Sequence, residues 1–364
     1  MQKITSGSFN VNNLFERPRI MELEGFNDIG KEVLADVAQI NQLLENESYA
    51  GTVGTKLVEL LNKYFFEQKN IWFDIIQIRE KLYGIKQDGS GVFLKVNGRG
   101  EWLGWIELFK EETNEISVQN TARVIKAVNA DILCVVEVDN RIALKRFNEL
   151  LLKEEKVEYP HTMVIDGNDE RGIDVGLLSR FPLGNIKTHI DDKFKSGSRF
   201  FNIFSRDCPE YQVEIGDGKI VTVLCNHLKS KGYGKPADND KKRKRQAERI
   251  AEILKNYDLT KDLVVVAGDL NDTPDKPPLQ SLLTLPNLKD VLDSPKFTDV
   301  RWTYHTGNQQ IDYVLVSQPL FDAITKVGIE RRGIFKKNNP TFAEVKSKVT
   351  QASDHAAVWA EFNI

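Results

Sequence analysis

Short, strand-length apolar runs recur along this chain, and most of them stop abruptly at a polar residue. The runs are DILCVVE (131–137), KIVTVLCNH (219–227), LVVVAGD (263–269), IDYVLVS (311–317) and AAVWAEF (356–362). They are rich in β-branched residues, which favours strands, and several are almost continuously apolar, which is typical of strands covered on both faces. The pattern therefore predicts sheets covered by another sheet or by helices, and so a layered α/β protein.

Helical patterns alternate with these runs. Apolar residues at helical spacing predict a helix over about 118–128, leading into the first run. Asn140 is the predicted N-cap of a helix over 141–155, and a third helix is predicted near 240–255. The buried face of the second helix is expected to include Phe147, Leu150 and Leu151.

Residues 13–115 interrupt this alternation and are interpreted as an insertion after the first strand. Apolar periodicity predicts a helical pair over 31–46 and 55–68 within it. We therefore expect one domain, residues 1–364, that carries a helical and hairpin insertion.

The second half of the insertion is predicted to contain strands joined by turn signals at 88–89 and 97–98. Trp102 and Trp105 could stack on a ligand. The more economical interpretation is that these aromatic residues pin a hairpin to the core.

Charge and cysteine content limit the possible partners and compartment. Lys and Arg total 50 against 53 Asp and Glu, so the net charge is 50 − 53 = −3 and no global positive field recruits a polyanion. Cys134 and Cys225 lie in apolar runs, which favours buried thiols and a reducing compartment. The chain starts without a signal-like segment and contains no long apolar run. We expect a cytoplasmic protein with no membrane partner and no obligate protein partner.

Polar side chains gather at the ends of the predicted strands. They are Asn10, Asn12, Glu137, Asp139, Asn226, His227, Asp269, Asn271, Asp312, Asp354 and His355. If the sheets bring these ends together, one pocket collects carboxylates, amides and imidazoles. Carboxylate and amide oxygens are hard donors, and zinc spacings of the CxxC or HExxH type are absent. Mg²⁺ is therefore the predicted cofactor, with Mn²⁺ possible.

This combination of side chains suits the hydrolysis of a phosphate ester. A cation offsets the negative charge of the phosphoryl oxygens, a carboxylate and an amide orient water, and a His held by an Asp donates hydrogen bonds. Each signal alone has a plain structural explanation, because strand-end acids usually cap turns and a lone His is usually structural. Their joint occurrence in this order favours the functional interpretation.

The motifs SFNVNNL, DILCVVEV, VGLLSRFP, NHLKSK, GDLNDTPD, IDYVLVS and SDHAAVW resemble those of the endonuclease/exonuclease/phosphatase superfamily, which includes deoxyribonuclease I. They cover about 4–12 and 117–364 and leave the insertion without a match. The resemblance implies a four-layer α-β-β-α sandwich of two mixed sheets.

Carried over position by position, the resemblance also implies roles for individual residues. The implied metal ligands or their supports are Glu137, Asn10 and Asp354. The implied catalytic residues are Asp269, which activates or orients water, its amide partner Asn271, the phosphate-contacting His355 with its orienting Asp312, and His227 near the leaving group. The expected substrate-binding residues are Arg171, Asn226, Lys229 and Asn12, with an ion pair to Asp169 or Glu170 as the alternative for Arg171.

Differences between the branches of the superfamily narrow the function. Asn-His at 226–227 replaces the Tyr-containing segment of abasic-site endonucleases, and VVAGDLNDT and QQIDYVLVS lack the signatures of inositol 5-phosphatases. NHLKSKG is closest to bacterial nuclease-like members. Basic residues between 229 and 245 either contact the phosphates of an extended nucleic acid or form a solvated helix face.

The leading hypothesis is a divalent-metal-dependent hydrolase of phosphodiester bonds that acts as a DNA or RNA nuclease. The first alternative is a phosphatase or phosphodiesterase on a small-molecule or lipid phosphoester. Its apolar lip would consist of Trp102, Trp105, Phe93 and Leu94. The second is a non-catalytic binding module, against which the complete set of polar residues argues. The sequence does not distinguish DNA from RNA as the substrate, or endo from exo cleavage. It also does not give the number of metal ions or the oligomeric state.

Overall fold

The chain divides into two compact units. The computed structural model describes residues 2–14, 20, 29–67, 70–109, 114–232 and 234–364. The sandwich unit consists of Met1–Phe15 and Thr113–Ile364, and the inserted unit is Glu16–Glu112. The inserted unit falls within the predicted insertion 13–115, and one catalytic domain over 1–364 stays a prediction.

The regular elements follow the predicted alternation. In chain order the strands are β1 (Lys3–Leu14), β2 (Phe73–Arg79), β3 (Tyr83–Ile85), β4 (Val92–Leu94), β5 (Leu103–Leu108), β6 (Ile132–Val138), β7 (His161–Val164), β8 (Asp174–Ser179), β9 (Leu183–Lys187), β10 (Lys193–Ser196), β11 (Arg199–Asn202), β12 (Glu210–Gly216), β13 (Lys219–His227), β14 (Leu263–Asp269), β15 (Leu288–Asp290), β16 (Asp312–Ser317), β17 (Ile324–Glu330) and β18 (Ala357–Asn363). The helices are α1 (Lys31–Leu44), α2 (Thr52–Asn62), α3 (Glu115–Val128), α4 (Arg141–Phe147), α5 (Pro236–Leu254), α6 (Gln280–Leu283) and α7 (Gln318–Asp322).

Two six-stranded mixed sheets form the sandwich unit. Their strand orders are β17-β18-β1-β6-β8-β7 and β15-β16-β14-β13-β12-β9. Each sheet has one parallel pair at its centre, β1 with β6 and β13 with β14, flanked by antiparallel strands. The central strands are the almost continuously apolar ones, as expected for strands that are covered on both faces.

Three apolar clusters separate the layers of this unit. The first lies between the sheets and contains Val136 of β6, Val223 of β13 and Val314 of β16. The second packs α3 and α4 on the first sheet, and the third packs α5 and α6 on the second sheet. The four-layer α-β-β-α sandwich predicted from the sequence is therefore confirmed.

Most of the local predictions for this unit are confirmed as well. Asn140 caps α4, because its Oδ1 accepts a hydrogen bond from Ala143 N at 2.9 Å. The expected burial of Leu150 is wrong, since its side chain is 68% exposed. The helix continues from Asn148 as a π-helical turn, in which the Asn148 amide binds the backbone of Tyr159. That turn changes the face presented by the following residues.

The inserted unit has its own apolar core, which includes residues of α1, α2, β2 and β5. The predicted helical pair is confirmed, with α2 continuing as a π-helical turn to Glu67 and residue 68 outside the described residues. The turn signal at 88–89 joins the hairpin β3–β4. The signal at 97–98 does not join a hairpin, because β5 pairs with β2 instead of β4.

The two tryptophans of the inserted unit differ in their surroundings. Trp102 is buried, and its Nε1 donates to the Tyr49 hydroxyl at 2.8 Å. Trp105 is about half exposed. Trp102 therefore packs in the core, as the structural interpretation predicted. It does not contribute to the apolar lip that a lipid or small-molecule substrate would need.

In the described part of the chain, every helix is too short or too polar to cross a bilayer.

Candidate active site

Strand register brings the polar residues of the second sheet into one row. His227 of β13 is paired with Asp269 of β14, which is paired with Asp312 of β16. Residues that are paired across neighbouring strands share a face of the sheet, so these three side chains point the same way. In the first sheet, Asn10 is paired with Val136, one residue before Glu137. Asn10 lies within β1 rather than beyond its end.

Gly268 allows this row to form. Its φ is +143°, and a Cβ atom there would stand 1.9 Å from the Asn226 carbonyl oxygen. Only glycine fits such a backbone, which explains the Gly-Asp pair at the end of β14.

Asp269 is the centre of the cluster. Its Oδ1 accepts a hydrogen bond from Asn271 N at 2.8 Å, and its Oδ2 accepts from the Nδ2 of Asn271 at 3.1 Å. The Nδ2 of Asn10 is 3.4 Å from the same Oδ2. The Nε2 atoms of His227 and His355 stand 3.6 and 4.0 Å from that oxygen. One carboxylate oxygen thus faces two amides and two imidazoles.

The negative charge of the Asp269 carboxylate is unfavourable in this buried position. The pKa of Asp269 is raised to about 8, chiefly by burial and also by the nearby Asp312 and Glu137 carboxylates, while His355 opposes them. Crowded, buried carboxylates are stabilised by positive charge. The site therefore favours a cation beside Asp269.

Glu137 reaches the same point from the first sheet. Its Oε1 accepts a hydrogen bond from Asn10 Nδ2 at 3.0 Å and lies 3.7 Å from His227 Nε2. Its side chain is 22% exposed, and its φ is +65°, where the β6–β8 register is interrupted. A left-handed backbone at a non-glycine residue is costly and is typical of functional sites.

His355 and Asp312 form a buried ion pair. The His355 Nδ1 is 2.9 Å from Asp312 Oδ2 and 3.1 Å from Oδ1. Burial alone would lower the pKa of His355, but the Asp312 carboxylate raises it well above the ordinary value. The ring is therefore held as a cation. Its Nε2 is 4.0 Å from Asp269 Oδ2 and 3.8 Å from Asp354 Oδ1.

His227 has the opposite charge preference. Burial lowers its pKa well below the ordinary value, and the charges of Arg206 and His355 lower it further. Its Nδ1 has no hydrogen-bond partner among the described residues. A neutral and a cationic imidazole thus flank one carboxylate, which suits them to different steps of proton and charge transfer.

The expected substrate contact Asn12 is engaged elsewhere. Its Nδ2 donates to Asp354 Oδ1 at 2.9 Å, and its φ is +42°. Asn12 therefore positions Asp354 in this structure. The neighbouring His305 Nδ1 lies 4.0 Å from Asp354 Oδ2.

Asn226 is not brought together with the other predicted residues. It alternates with His227 along a regular part of β13, so its side chain lies on the opposite face of the sheet. It is buried, and its amide donates to the Leu224 carbonyl at 3.0 Å.

Among the residues that the structure describes, two groups of side chains have the spacing of a metal site. The ligand atoms of Glu137, His227 and Asp269 lie within 4.8 Å of one another, and so do those of Asp269, Asp312 and His355. In the second group both Asp312 oxygens already face the His355 ring, which leaves the first group more open. Its two carboxylates are hard donors that fit Mg²⁺ or Mn²⁺. Asn10 turns its Nδ2 toward them and its Oδ1 toward Asn12 N, so it orients the carboxylates.

A group of basic side chains lies beside the acidic cluster around Asp269. The guanidinium of Arg171 makes two hydrogen bonds to Asp169, at 3.0 and 2.9 Å, which is the ion-pair alternative considered from the sequence. Arg206 Nε stands 3.0 Å from the same carboxylate. Burial, together with the charges of Arg206 and Lys242, lowers the pKa of Lys229 to about 8. Positive charge is therefore concentrated at this place in a protein of net negative charge.

Sequence reasoning missed several residues of this site. Arg206 is buried and stands in no motif, and the proximity of its charge to Glu137 and Asp269 is visible only in the structure. The Tyr304 ring is 4.9 Å from the His355 ring, and Tyr304 forms an isolated β-bridge with His355.

The predicted basic segment is also not uniform. Arg243 is fully buried, its Nε is 3.0 Å from Asp272 Oδ2, and its Nη1 donates to the Lys229 carbonyl. Arg243 therefore has a structural role, while Lys242 and Arg245 are partly exposed.

A family model described as the endonuclease/exonuclease/phosphatase family matches residues 96–355. A search of the curated proteins found no match. Among solved structures, the chain is similar to truncated TDP2 from Caenorhabditis elegans, with 20% identity over 68% of this chain and 90% of that chain and a TM-score of 0.46. An endonuclease/exonuclease/phosphatase from Beutenbergia cavernae gives 19% identity, 70% and 67% coverage and a TM-score of 0.49. The catalytic domain of human Nocturnin with bound sulfate gives 17% identity, 68% and 86% coverage and a TM-score of 0.48.

Proposed function

Because this chain belongs to the endonuclease/exonuclease/phosphatase family, a group of phosphoesterases that includes nucleases, we propose that it is a divalent-metal-dependent hydrolase of phosphodiester bonds in DNA or RNA. One observation carries the proposal. Side chains from both sheets converge around Asp269 Oδ2, with Glu137 and Asn10 from one sheet, His227 from the other and Asn271 from the loop after β14.

Glu137 and Asp269 would hold the cation, and Asp354 stands near them across His355. When bound, the cation supplies charge neutralisation at the phosphoryl oxygens and lowers the pKa of a coordinated water. The Nδ2 of Asn10 donates to both carboxylates and so fixes the spacing between them.

The remaining roles follow from charge state and orientation. Asp269, fixed by the backbone and side-chain amides of Asn271, orients the attacking water. Cationic His355, held by Asp312, donates through Nε2 to a phosphoryl oxygen whose charge increases in the transition state. Neutral His227 lies 3.6 Å from the same Asp269 oxygen, where a ring N–H would donate a hydrogen bond to the departing oxygen, which takes its proton from water.

The polymer specificity rests on local charge. Arg171, Arg206, Lys229 and Lys242 lie beside the acidic cluster, whereas the chain as a whole has a net charge of −3. Contacts to phosphates flanking the reacting one are needed by an extended nucleic acid and are not needed by a small monoester.

A substrate panel tests this function. Purified protein is incubated with plasmid DNA, single-stranded DNA, single-stranded RNA and bis-p-nitrophenyl phosphate, each with Mg²⁺, Mn²⁺ or EDTA. Glu137→Gln serves as the blank, because it keeps the shape of the side chain and removes its charge. We expect metal-dependent cleavage of at least one polymer, which is absent in EDTA and in the variant.

Two other results would replace the proposal. Hydrolysis confined to phosphomonoesters or to lipid phosphoesters would favour the small-molecule or lipid alternative, for which Trp105, Phe93 and Leu94 keep exposed apolar surface. Tight oligonucleotide binding without turnover of any substrate under any metal would favour a binding module.

A further inference from the structure

The hairpin β10–β11 carries aromatic and basic side chains that the fold does not bury. Lys193, Lys195 and Arg199 are its charged residues, and no acidic residue lies between 193 and 202. Phe200 is 66% exposed and Phe201 is 45% exposed. The two strands pair only with each other, so neither belongs to the large sheets.

The register divides the hairpin into two faces. Phe194 is paired with Phe201, and their stacked rings have centroids 5.6 Å apart. Lys195 is paired with Phe200 on the opposite face. Packing explains the first pair, since the Arg245 guanidinium of α5 lies 3.4 Å from the centroid of the Phe194 ring. It does not explain Phe200.

Polar contacts fix the hairpin on the sandwich unit. Arg249 of α5 is 2.7 Å from Asp192 Oδ2, and Ile203 N donates to the Asp192 carbonyl at 2.8 Å. Asn202 Nδ2 donates to Asn168 Oδ1 at 2.9 Å, in the loop that also carries Asp169 and Arg171. The hairpin is therefore held beside the loop that contributes to the cationic group of the site.

Basic side chains extend from the hairpin toward the cluster around Asp269, and two of them are paired, Arg249 with Asp192 and Arg206 with Asp169. Lys242, Arg245 and Arg249 lie on one face of α5, at spacings of three and four residues. Burial lowers the pKa of Lys242, the charges of Arg206 and Arg245 lower it further and Asp169 opposes them, so Lys242 lies near all three. Arg206 in turn is close enough to Asp269 and Glu137 for their charges to act on it.

We infer that the β10–β11 hairpin and the adjoining face of α5 bind a single-stranded segment of the nucleic acid whose phosphodiester bond is cut at the Asp269 cluster. Phe200, paired with Lys195, offers its exposed ring on one side of the hairpin, and the exposed part of Phe201 borders the other side, next to α5. Unpaired bases stack on these rings, and Lys195, Arg199 and Lys242 follow the phosphates. This inference rests on the proposed function and adds a substrate form, since bases in a duplex have no free faces for such stacking.

These observations favour a single-stranded nucleic acid over a lipid surface as the ligand of the hairpin. The exposed Phe200 is paired with Lys195, and Lys193 lies on the same face, whereas insertion into a bilayer uses a contiguous apolar face. The path of basic residues also runs on toward the candidate active site, as the phosphates of a bound strand do.

Binding is measured by fluorescence anisotropy with labelled 20-nucleotide single-stranded DNA and RNA, and with a duplex of the same sequence, in EDTA to prevent cleavage. The variants are Phe200→Ala with Phe201→Ala, and Lys195→Glu with Arg199→Glu. Matched controls are Ile220→Ala and Lys219→Glu, exposed residues at the end of β13 opposite to His227. Thermal unfolding checks that every variant is folded.

We expect the aromatic variant to weaken single-strand binding roughly fivefold to a hundredfold and to change duplex binding less. The charge variant should weaken binding and reduce its salt dependence, and the controls should bind like the wild type. Wild-type affinity in both hairpin variants, or a preference for the duplex, would overturn the inference. Hairpin-dependent capture of phosphatidylserine vesicles without oligonucleotide binding would overturn it in favour of a membrane surface.

The outcome is separable from that of the proposed function, because binding in EDTA does not depend on turnover. Hairpin-dependent binding without cleavage of any polymer would leave the single-strand binding surface standing and remove the nuclease. Cleavage without hairpin-dependent binding would do the reverse.

Discussion

Two buried clusters of the sandwich unit contain the same residue types and use them in opposite ways. In the His189 cluster, which consists of His189, Asp192, Glu210, Arg249 and Tyr257, both ring nitrogens have carboxylate partners. Nδ1 is 2.9 Å from Asp192 Oδ2, and Nε2 is 2.7 Å from Glu210 Oε1. Arg249 binds Asp192, and the Tyr257 hydroxyl donates to Glu210.

The Asp269 cluster lacks this saturation. His227 Nδ1 has no hydrogen-bond partner within the described ranges, and the Nε2 atoms of His227 and His355 stand 3.6 and 4.0 Å from Asp269 Oδ2, beyond ordinary hydrogen-bond distance. A satisfied network adds stability and uniqueness to a fold, while incompletely satisfied polar groups are available to a ligand. The saturation of the partners, rather than the residue types, separates the structural histidine from the functional ones.

The largest expected effect is the loss of activity on changing the centre of the open cluster. Asp269→Asn should lower kcat by about four orders of magnitude, since it removes the carboxylate that orients water and favours the cation. The thermal midpoint in metal-free buffer should stay the same or rise, because burial makes the Asp269 charge unfavourable. Turnover and calorimetry of the same preparation measure both, and a large fall in the midpoint would assign Asp269 to folding.

His355→Gln should cost roughly two to four orders of magnitude in kcat, because it removes the cation that faces the phosphoryl group. Asp312→Asn should have a smaller effect of the same kind, since the ring loses the carboxylate that raises its pKa. On the alkaline side of the pH profile, the activity of Asp312→Asn should therefore begin to decline at a lower pH than the activity of the wild type. An unchanged alkaline limit in Asp312→Asn would contradict this role of the pair.

His189→Gln should act on stability instead. It takes one partner from the buried Glu210 and from the partly buried Asp192, which keep Tyr257 and Arg249, and costs about 1–3 kcal/mol of unfolding free energy. Urea denaturation measures the loss, and kcat at a temperature where the variant is fully folded should match the wild type. A fall in kcat at unchanged stability would place His189 in the functional class and remove the distinction drawn here.

The smallest effect expected is the acid sensitivity of the closed cluster. Burial alone would raise the pKa of Glu210, but hydrogen bonds from His189 and Tyr257 lower it from 4.5 to about 2. A depressed carboxyl pKa stabilises the fold above pH 4.5, and the contribution is lost as pH falls toward 2. The contribution is about 2 kcal/mol after allowance for partial solvent screening. Urea midpoints from pH 6 to pH 3 should fall more steeply in the wild type than in Glu210→Gln, and parallel slopes would refute the assignment.

The sequence predicted the architecture well, because burial on both faces leaves a strong apolar signal in each central strand. The bounds predicted for 219–227 and 263–269 agree with β13 and β14. Leu150 could not be placed, because a π-helical turn depends on the tertiary contact between Asn148 and Tyr159.

The site was predictable as a set of residue types and less so as contacts. Asp269, Asn271, Glu137 and His227 meet, and His355 binds Asp312, as motif order suggested. Strand alternation could have excluded Asn226, which precedes His227 by one residue on a regular strand. Arg206 left no signal, because nothing local identifies a long side chain that is buried against distant charges.

The pairing of β1 with both β6 and β18 has a consequence for biosynthesis. Asn12 and its partner Asp354 are separated by 342 positions, and β1 lies between strands from distant parts of the chain. Contacts of such high sequence separation form late and slowly. A nascent polypeptide therefore cannot complete the centre before Asp354 has left the ribosome, and a circular permutant that joins β18 directly to β1 should assemble it sooner.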